Sequence, residues 1–268
     1  MARPIKRKGR DGPPGRREGR GPPRGPTPVR REGPLREFRP ATEGDIGRLL
    51  DAYGFKLEAR ELSLLTRFHL FLFDKNRQLN LTRIHNLEDV VLKHYVDCFL
   101  VARMTELPSP LLDLGTGGGF PGIPLKIIRP DLHIILAEGV GKRVRFLKDV
   151  RAHLDLEGLD VIGRNIDREF FYPVNGVITR AVELIPDTLK RMQNSLQTGG
   201  LAIFMKGPNV DEEMTRAQRR YGDEYEVAFD LPYTLPRSTH RRRLLVYRRV
   251  RADIEDPETV LEETEGGS

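Results

Sequence analysis

The stretch Leu111-Leu112-Asp113-Leu114-Gly115-Thr116-Gly117-Gly118-Gly119-Phe120-Pro121-Gly122 constrains this chain more than any other part of it. Four residues suited to a short buried strand run into a turn with five glycines in eight positions. Ile123-Pro124-Leu125-Lys126-Ile127-Ile128 then opens a helix, with Pro124 tolerable in its first turn. A strand, a glycine turn and a helix in that order begin a parallel α/β sheet, whose ligands bind beyond the carboxyl ends of the strands. Glycine lets the backbone approach a ligand closely and take positive φ without a Cβ penalty. The first such strand end in this chain is Gly115.

The pattern repeats downstream. Residues 132–137 read as a second strand, and 142–154 as a helix carrying Val144, Phe146, Leu147 and Val150. Residues 159–162, 176–178 and 201–205 read as the third, fourth and fifth strands, with a helix over 183–196 stopped by Thr198-Gly199-Gly200. Residues 231–235 and 244–247 read as two late strands, to which an antiparallel pairing is open. Upstream, 42–75 is helical by spacing, with Thr42 as a cap and Leu62, Leu65, Phe68, Leu72 and Phe73 recurring. A further helix spans 87–104. The fold class is therefore α/β and Rossmann-like, a largely parallel sheet covered on both faces. One domain is expected over 41–250: an N-terminal helical layer at 41–108, too short to be a domain of its own, and the core at 109–250.

The net charge of +6 is unevenly spread. Residues 1–39 hold 13 Lys/Arg against 4 acids, and 251–268 hold one Arg against 7 acids, leaving 31 against 28 between them. Residues 1–40 are rich in Arg, Gly and Pro, so they cannot bury enough surface to offset their ordering entropy and are expected to be disordered. The basic tail suits an RNA-contacting arm or a solvated tail, and composition does not choose between them. The acidic 251–268 tail is expected to be disordered too. No apolar run approaches the ~18–20 residues of a membrane span. No apolar core follows the charged N-terminus, so it does not read as a secretory signal. The single cysteine, Cys98, rules out an internal disulfide and a multi-cysteine zinc site. Cytoplasmic localisation and no metal are the expectations.

The glycine turn alone is ambiguous. Gly117-Gly118-Gly119-Phe120-Pro121-Gly122 fits the G-x-G-x-x-G dinucleotide fingerprint. In the frame that starts directly after the strand, Phe120 replaces the third glycine, which disfavours a dinucleotide. Asp113, inside the strand where dinucleotide folds are usually apolar, favours a fold that binds S-adenosylmethionine, and it is placed to reach the ligand or brace the loop. Glu138, ending the second strand, is placed to take both ribose hydroxyls, although it does not separate the two cofactors. Ile166 and Asp167, read as third-strand residues, would flank the adenine.

The run from Gly115 through Leu125, followed by Gly141-Lys142-Arg143-Val144-Arg145-Phe146-Leu147, resembles the ribosomal small-subunit RNA methyltransferase G family (glucose-inhibited division protein B family). Asn80-Leu81-Thr82, His94-Tyr95-Val96-Asp97, Thr179-Arg180-Ala181 and Lys206-Gly207 resemble further signatures of that family in the same order. Cys98 stands where the family commonly has Ser, and Thr179 also replaces a Ser. The resemblance implies S-adenosylmethionine-dependent methylation of N7 of a guanine in 16S ribosomal RNA. It implies cofactor contacts at Gly115, Phe120, Ile166, Asp167 and Arg180, with Glu138 as the acidic residue after the second strand.

Guanine N7 has a free lone pair, so no general base is required and catalysis reduces to positioning. Arg180, Lys206, His94 and Asp97 are the positioning candidates, the last two sharing a face one helical turn apart. Cys98 is read as core, not as a nucleophile. Asn80, Lys206, Arg241, Arg242 and Arg243 are the candidate RNA contacts, with Arg241 and Arg243 facing away from Arg242 if their strand starts early. The expected partner is 16S rRNA or the small ribosomal subunit, and the expected state a monomer. Three alternatives stay open on sequence alone: a methyltransferase on another RNA or a small molecule, a non-catalytic RNA-binding protein retaining the fold, and a nicotinamide-dependent reductase.

Overall fold

The computed structural model describes residues 40–180 and 183–251. The two tails read from composition lie outside the described residues, apart from Pro40 and Arg251. The chain opens with α1 (Glu43–Ala52), whose N-cap Thr42 forms a reciprocal capping box with Asp45. A break at 53–58 separates it from α2 (Ala59–Leu79), so the stretch expected as one helical region is two helices. Gly54 at φ 82 marks the break.

The helix expected over 87–104 is a composite. It comprises α3 (Leu87–Val90), a π-helical turn (Val91–Val96) and α4 (Asp97–Met104). Asn86 caps its start by accepting from the backbone N–H groups of Glu88 and Asp89.

Seven strands then form one sheet: β1 (Leu111–Leu114), β2 (Ile134–Ala137), β3 (Leu159–Ile162), β4 (Val174–Arg180), β5 (Leu196–Lys206), β6 (Tyr225–Thr234) and β7 (Arg241–Arg249). Their order is β3-β2-β1-β4-β5-β7-β6, with β7 antiparallel to both of its neighbours and the rest parallel. Strand residues alternate between two apolar layers, as the pleat requires. Leu111, Ile134, Leu136, Ile178 and Ile203 pack towards α1, α2, the composite helix, α5 (Gly122–Ile128) and α6 (Gly141–Leu154). Leu112, Leu114, Ile135, Val177 and Phe204 pack towards α7 (Ile185–Arg191) and α8 (Asp211–Tyr221). The helical N-terminal layer thus seals one face of the sheet, and each buried Leu or Phe in it contributes roughly 1.5–3 kcal/mol.

Two expectations are corrected. The Thr198-Gly199-Gly200 segment is not a helix stop but part of β5, where the register slips against β4 and Gly199 takes φ 82. Ile166 and Asp167 do not belong to the third strand, which ends at Ile162; they lie in the loop beyond it. Helix α8 has no counterpart in the sequence reading.

Candidate functional site

The carboxyl ends of β1, β2 and β4 meet where the strand order reverses beside β1, the expected place for a ligand in such a sheet. Gly115 leaves β1 at φ 73, a conformation that favours glycine. Gly122 begins α5 so close to β1 and β2 that a Cβ there would lie 2.3 Å from Leu136 Cδ2 and 2.7 Å from Asp113 Oδ2.

Asp113 braces the turn. It is fully buried, and its Oδ2 accepts from the Thr116 hydroxyl at 2.6 Å and from the Gly122 N–H at 2.8 Å. Its Oδ1 is buried with no partner. Burial pushes the carboxyl up to about 6, against the opposing pull of those two hydrogen bonds and of Arg180.

Glu138 joins the turns that follow β1 and β2. One of its oxygens accepts from Gly117 N–H at 3.1 Å and the other from Val140 N–H at 2.8 Å, with the residue 6% exposed. Each oxygen keeps a lone pair for a further donor.

A cavity of about 280 Å³ opens here, near the lower end of the roughly 300–1,000 Å³ typical of small-molecule pockets. Gly115, Glu138, Ile166 and Arg180 line it, as expected from the sequence. Arg143, Arg164, Asn165 and Arg191 line it as well and were not singled out. The signal for Arg143 was available, since it sits in the Gly-Lys-Arg run that opens α6, and Arg164 and Asn165 directly precede Ile166. Asp167 does not line the cavity; it pairs with Arg164 at 3.1 Å on the outside. Phe120 does not line it either. It lies beneath the turn, 5% exposed, packed on Phe68 at 5.5 Å and stacked on His94 at 4.3 Å and 15°.

Arg180 ends β4 and points back at the π-helical turn. Its guanidinium donates to Lys93 O at 3.1 Å and to His94 Nδ1 at 2.9 Å, and lies 5.1 Å from the Phe120 ring centre. Burial, with Arg180 and Lys93 nearby, lowers His94 to about 3, so the ring is neutral at physiological pH.

Neither His94 nor Asp97 lines the cavity; His94 reaches its wall through Arg180, whereas Asp97 faces the β6–β7 hairpin. Asp97 is 2% exposed and accepts from Tyr233 Oη at 2.8 Å and Arg242 Nε at 3.2 Å, tying the helical layer to that hairpin. The two residues would share a face in an α-helix, but the intervening π-turn, bonded i to i+5, turns each residue through a smaller angle and separates them.

Lys206 is engaged by Glu213 at 2.9 Å and by the Glu183 carbonyl at 2.5 Å, outside the cavity lining. Arg243 is held by Asp230 and Asp211, both at 2.7 Å. Arg241 is exposed, and because β7 starts at Arg241 it shares a strand face with Arg243 opposite to Arg242. Asn80 is exposed and caps the end of α2 in the left-handed conformation at φ 51. Cys98 is fully buried on α4, and burial pushes its thiol up, which leaves no thiolate for nucleophilic work. Among the described residues no helix is long and apolar enough to cross a membrane.

The family model described as GidB, rRNA small subunit methyltransferase G, matches residues 61–240. The Ribosomal RNA small subunit methyltransferase G 2 of Bdellovibrio bacteriovorus is 44% identical over 224 residues, covering 81% of this chain and 88% of that protein. The protein of the same description from Syntrophobacter fumaroxidans is 46% identical over 206 residues, 77% of this chain but 41% of its own length. The Ribosomal RNA small subunit methyltransferase G of Carboxydothermus hydrogenoformans is 32% identical over 220 residues, covering 78% and 92%. Among solved structures, a Listeria monocytogenes protein assigned to the class I S-adenosylmethionine-dependent methyltransferases superposes with a TM-score of 0.50 at 12% identity, covering 81% of this chain and 83% of that one; this likeness speaks for the fold alone. With the family model matched across both the helical layer and the glycine turn, this chain belongs to the rRNA small subunit methyltransferase G family.

Proposed function

We propose that this chain transfers the methyl group of S-adenosylmethionine to N7 of a guanine in 16S ribosomal RNA, the activity of its family, with the cofactor held in the cavity at the ends of β1, β2 and β4. The observation that carries the reading is the convergence of buried Glu138 and left-handed Gly115 on one cavity at the sheet's switch point. The residues present fit an adenosyl cofactor. Glu138 keeps lone pairs for ribose hydroxyls, Ile166 offers apolar surface to a base, and Gly115 lets the backbone come close. Arg143 Nε is buried without a partner and is free to donate to an acceptor on a ligand.

When bound, the cofactor supplies a methyl group already activated by its sulfonium charge. The chain's own task is to hold both reactants in line, because guanine N7 has no proton to lose. This suits a site whose histidine is neutral and committed to Arg180 instead of being free to act as a base. Arg180 is assigned to orient the bound reactants from the cavity wall. Asp97 and Lys206, engaged elsewhere, are assigned to architecture. Among the RNA-contact candidates, Asn80 and Arg241 are exposed and are assigned to the RNA path, whereas Arg242 and Arg243 are held in ion pairs. Action as a monomer in the cytoplasm, on naked 16S rRNA or the assembled subunit, completes the proposal.

Calorimetry with S-adenosylmethionine and NADH, followed by transfer of labelled methyl to small subunits and to naked 16S rRNA, tests it. Binding of the first ligand only, weakened about tenfold or more by Glu138→Ala, and N7-methylguanine in the digested RNA are expected. No affinity for S-adenosylmethionine, or label on another atom, would overturn it.

A further inference from the structure

A line of hydrogen bonds runs from the helical layer to the cavity wall. Asn76, buried in α2, accepts from the N–H groups of Leu81 and Thr82 at 2.7 and 2.9 Å and donates to Thr82 O at 2.9 Å. Three bonds to one amide leave the Thr82 backbone little freedom. The Thr82 hydroxyl oxygen then lies 2.9 Å from His94 Nε2 and also accepts from Ile84 N–H at 3.1 Å. On the other side of the ring, Nδ1 lies 2.9 Å from an Arg180 nitrogen. Arginine has donors and no acceptor, so Nδ1 must be the unprotonated, accepting nitrogen. The ring proton of neutral His94 therefore sits on Nε2 and is donated to Thr82. The stack on Phe120 opposes rotation of the ring out of this line.

We propose that Thr82 is a positioning residue for methyl transfer: its hydroxyl, pinned through Asn76, takes the His94 Nε2 proton and fixes the ring orientation that holds the Arg180 guanidinium at the cavity wall. Without that acceptor the buried Nε2–H loses its partner, the ring is no longer held in this line, and its grip on Arg180 loosens. The proposal rests on the role assigned to Arg180 above, so its test carries a readout independent of activity.

In ¹⁵N-histidine NMR of the wild-type chain, His94 should show a protonated Nε2 and a bare Nδ1 from pH 5 to 8, a range well above its titration. Thr82→Val, which keeps the shape and removes the acceptor, should shift the Nε2 resonance towards that of an unbonded N–H while the proton stays on Nε2. It should lower kcat about tenfold while changing KM for RNA much less, and Thr82→Ser should restore both spectrum and rate. A wild-type ring protonated on Nδ1, or a folded Thr82→Val variant with wild-type kcat, overturns the proposal. If Thr82→Val does not fold, the wild-type spectrum and Thr82→Ser decide. A wild-type chain that transfers no methyl group refutes the assigned reaction, whereas the wrong tautomer refutes the positioning line.

Discussion

Replacing Asp113 with Asn should abolish a pH dependence of stability that the wild-type chain carries between about pH 4 and 6. The carboxyl is fully buried, its Oδ1 has no partner, and burial raises it from the ordinary 3.8 to about 6. The folded chain therefore binds this proton more tightly than the unfolded chain does. Stability from this group is fully present below the unfolded value and is lost as pH rises through the folded one. At 1.36 kcal/mol per unit the full effect is about 3 kcal/mol, of which about 2 kcal/mol falls between pH 4.5 and 7. Asn retains an oxygen for Thr116 and Gly122 but has nothing to titrate, and every other carboxylate is common to both proteins. Urea unfolding of both proteins at pH 4.5 and 7, without cofactor, measures the difference directly. The variant should gain about 2 kcal/mol on the wild type as pH rises. Parallel pH profiles, agreeing within about 0.5 kcal/mol, would refute the assignment of that titration to Asp113.

Phe120→Ala empties a position walled by Phe68, Tyr95 and His94 and should cost roughly 3–5 kcal/mol in thermal or urea unfolding. Cys98 should resist thiol reagents until the chain unfolds, and Cys98→Ala should retain methyl transfer; loss of transfer in a folded variant would restore the thiol to the chemistry. Tyr233→Phe deprives buried Asp97 of one of its two donors and should destabilise by roughly 1–3 kcal/mol in urea titration. Deleting residues 1–39, with their 13 Lys/Arg, should weaken RNA binding and flatten its salt dependence; an unchanged slope would assign the segment no part in RNA contact.

The parallel strands were legible where they are short apolar runs bounded by turn residues, and the site because β1, the glycine turn and Glu138 are local in sequence; the start of β5, read as the end of a helix, and the largely exposed first half of β6 were not. Helix α8 escaped because apolar spacing was the criterion and only Met214, Ala217 and Tyr221 supply it. Its charges carried the better signal, with Asp211, Glu212 and Glu213 in the first turn and Arg219 and Arg220 in the last. The partners of Arg242 and Arg243 were hidden for another reason. Asp97 is 145 residues from Arg242, and Asp230 comes near Arg243 only once β6 and β7 pair. A run of arginines reads as a free phosphate surface until the carboxylates that occupy it are known. The π-turn left no mark on the apolar pattern at all, since a single slipped backbone register barely alters which residues are buried.

That slipped register has a cost in mutational freedom. The stretch 91–97 serves two clients at once, the cavity wall through the bond from Arg180 to His94 and the hairpin through Asp97, and they sit at different azimuths around one axis. A π-turn holds about one residue more than an α-turn, so removing a single residue there would close the stretch into regular α-helix and change the angle between His94 and Asp97.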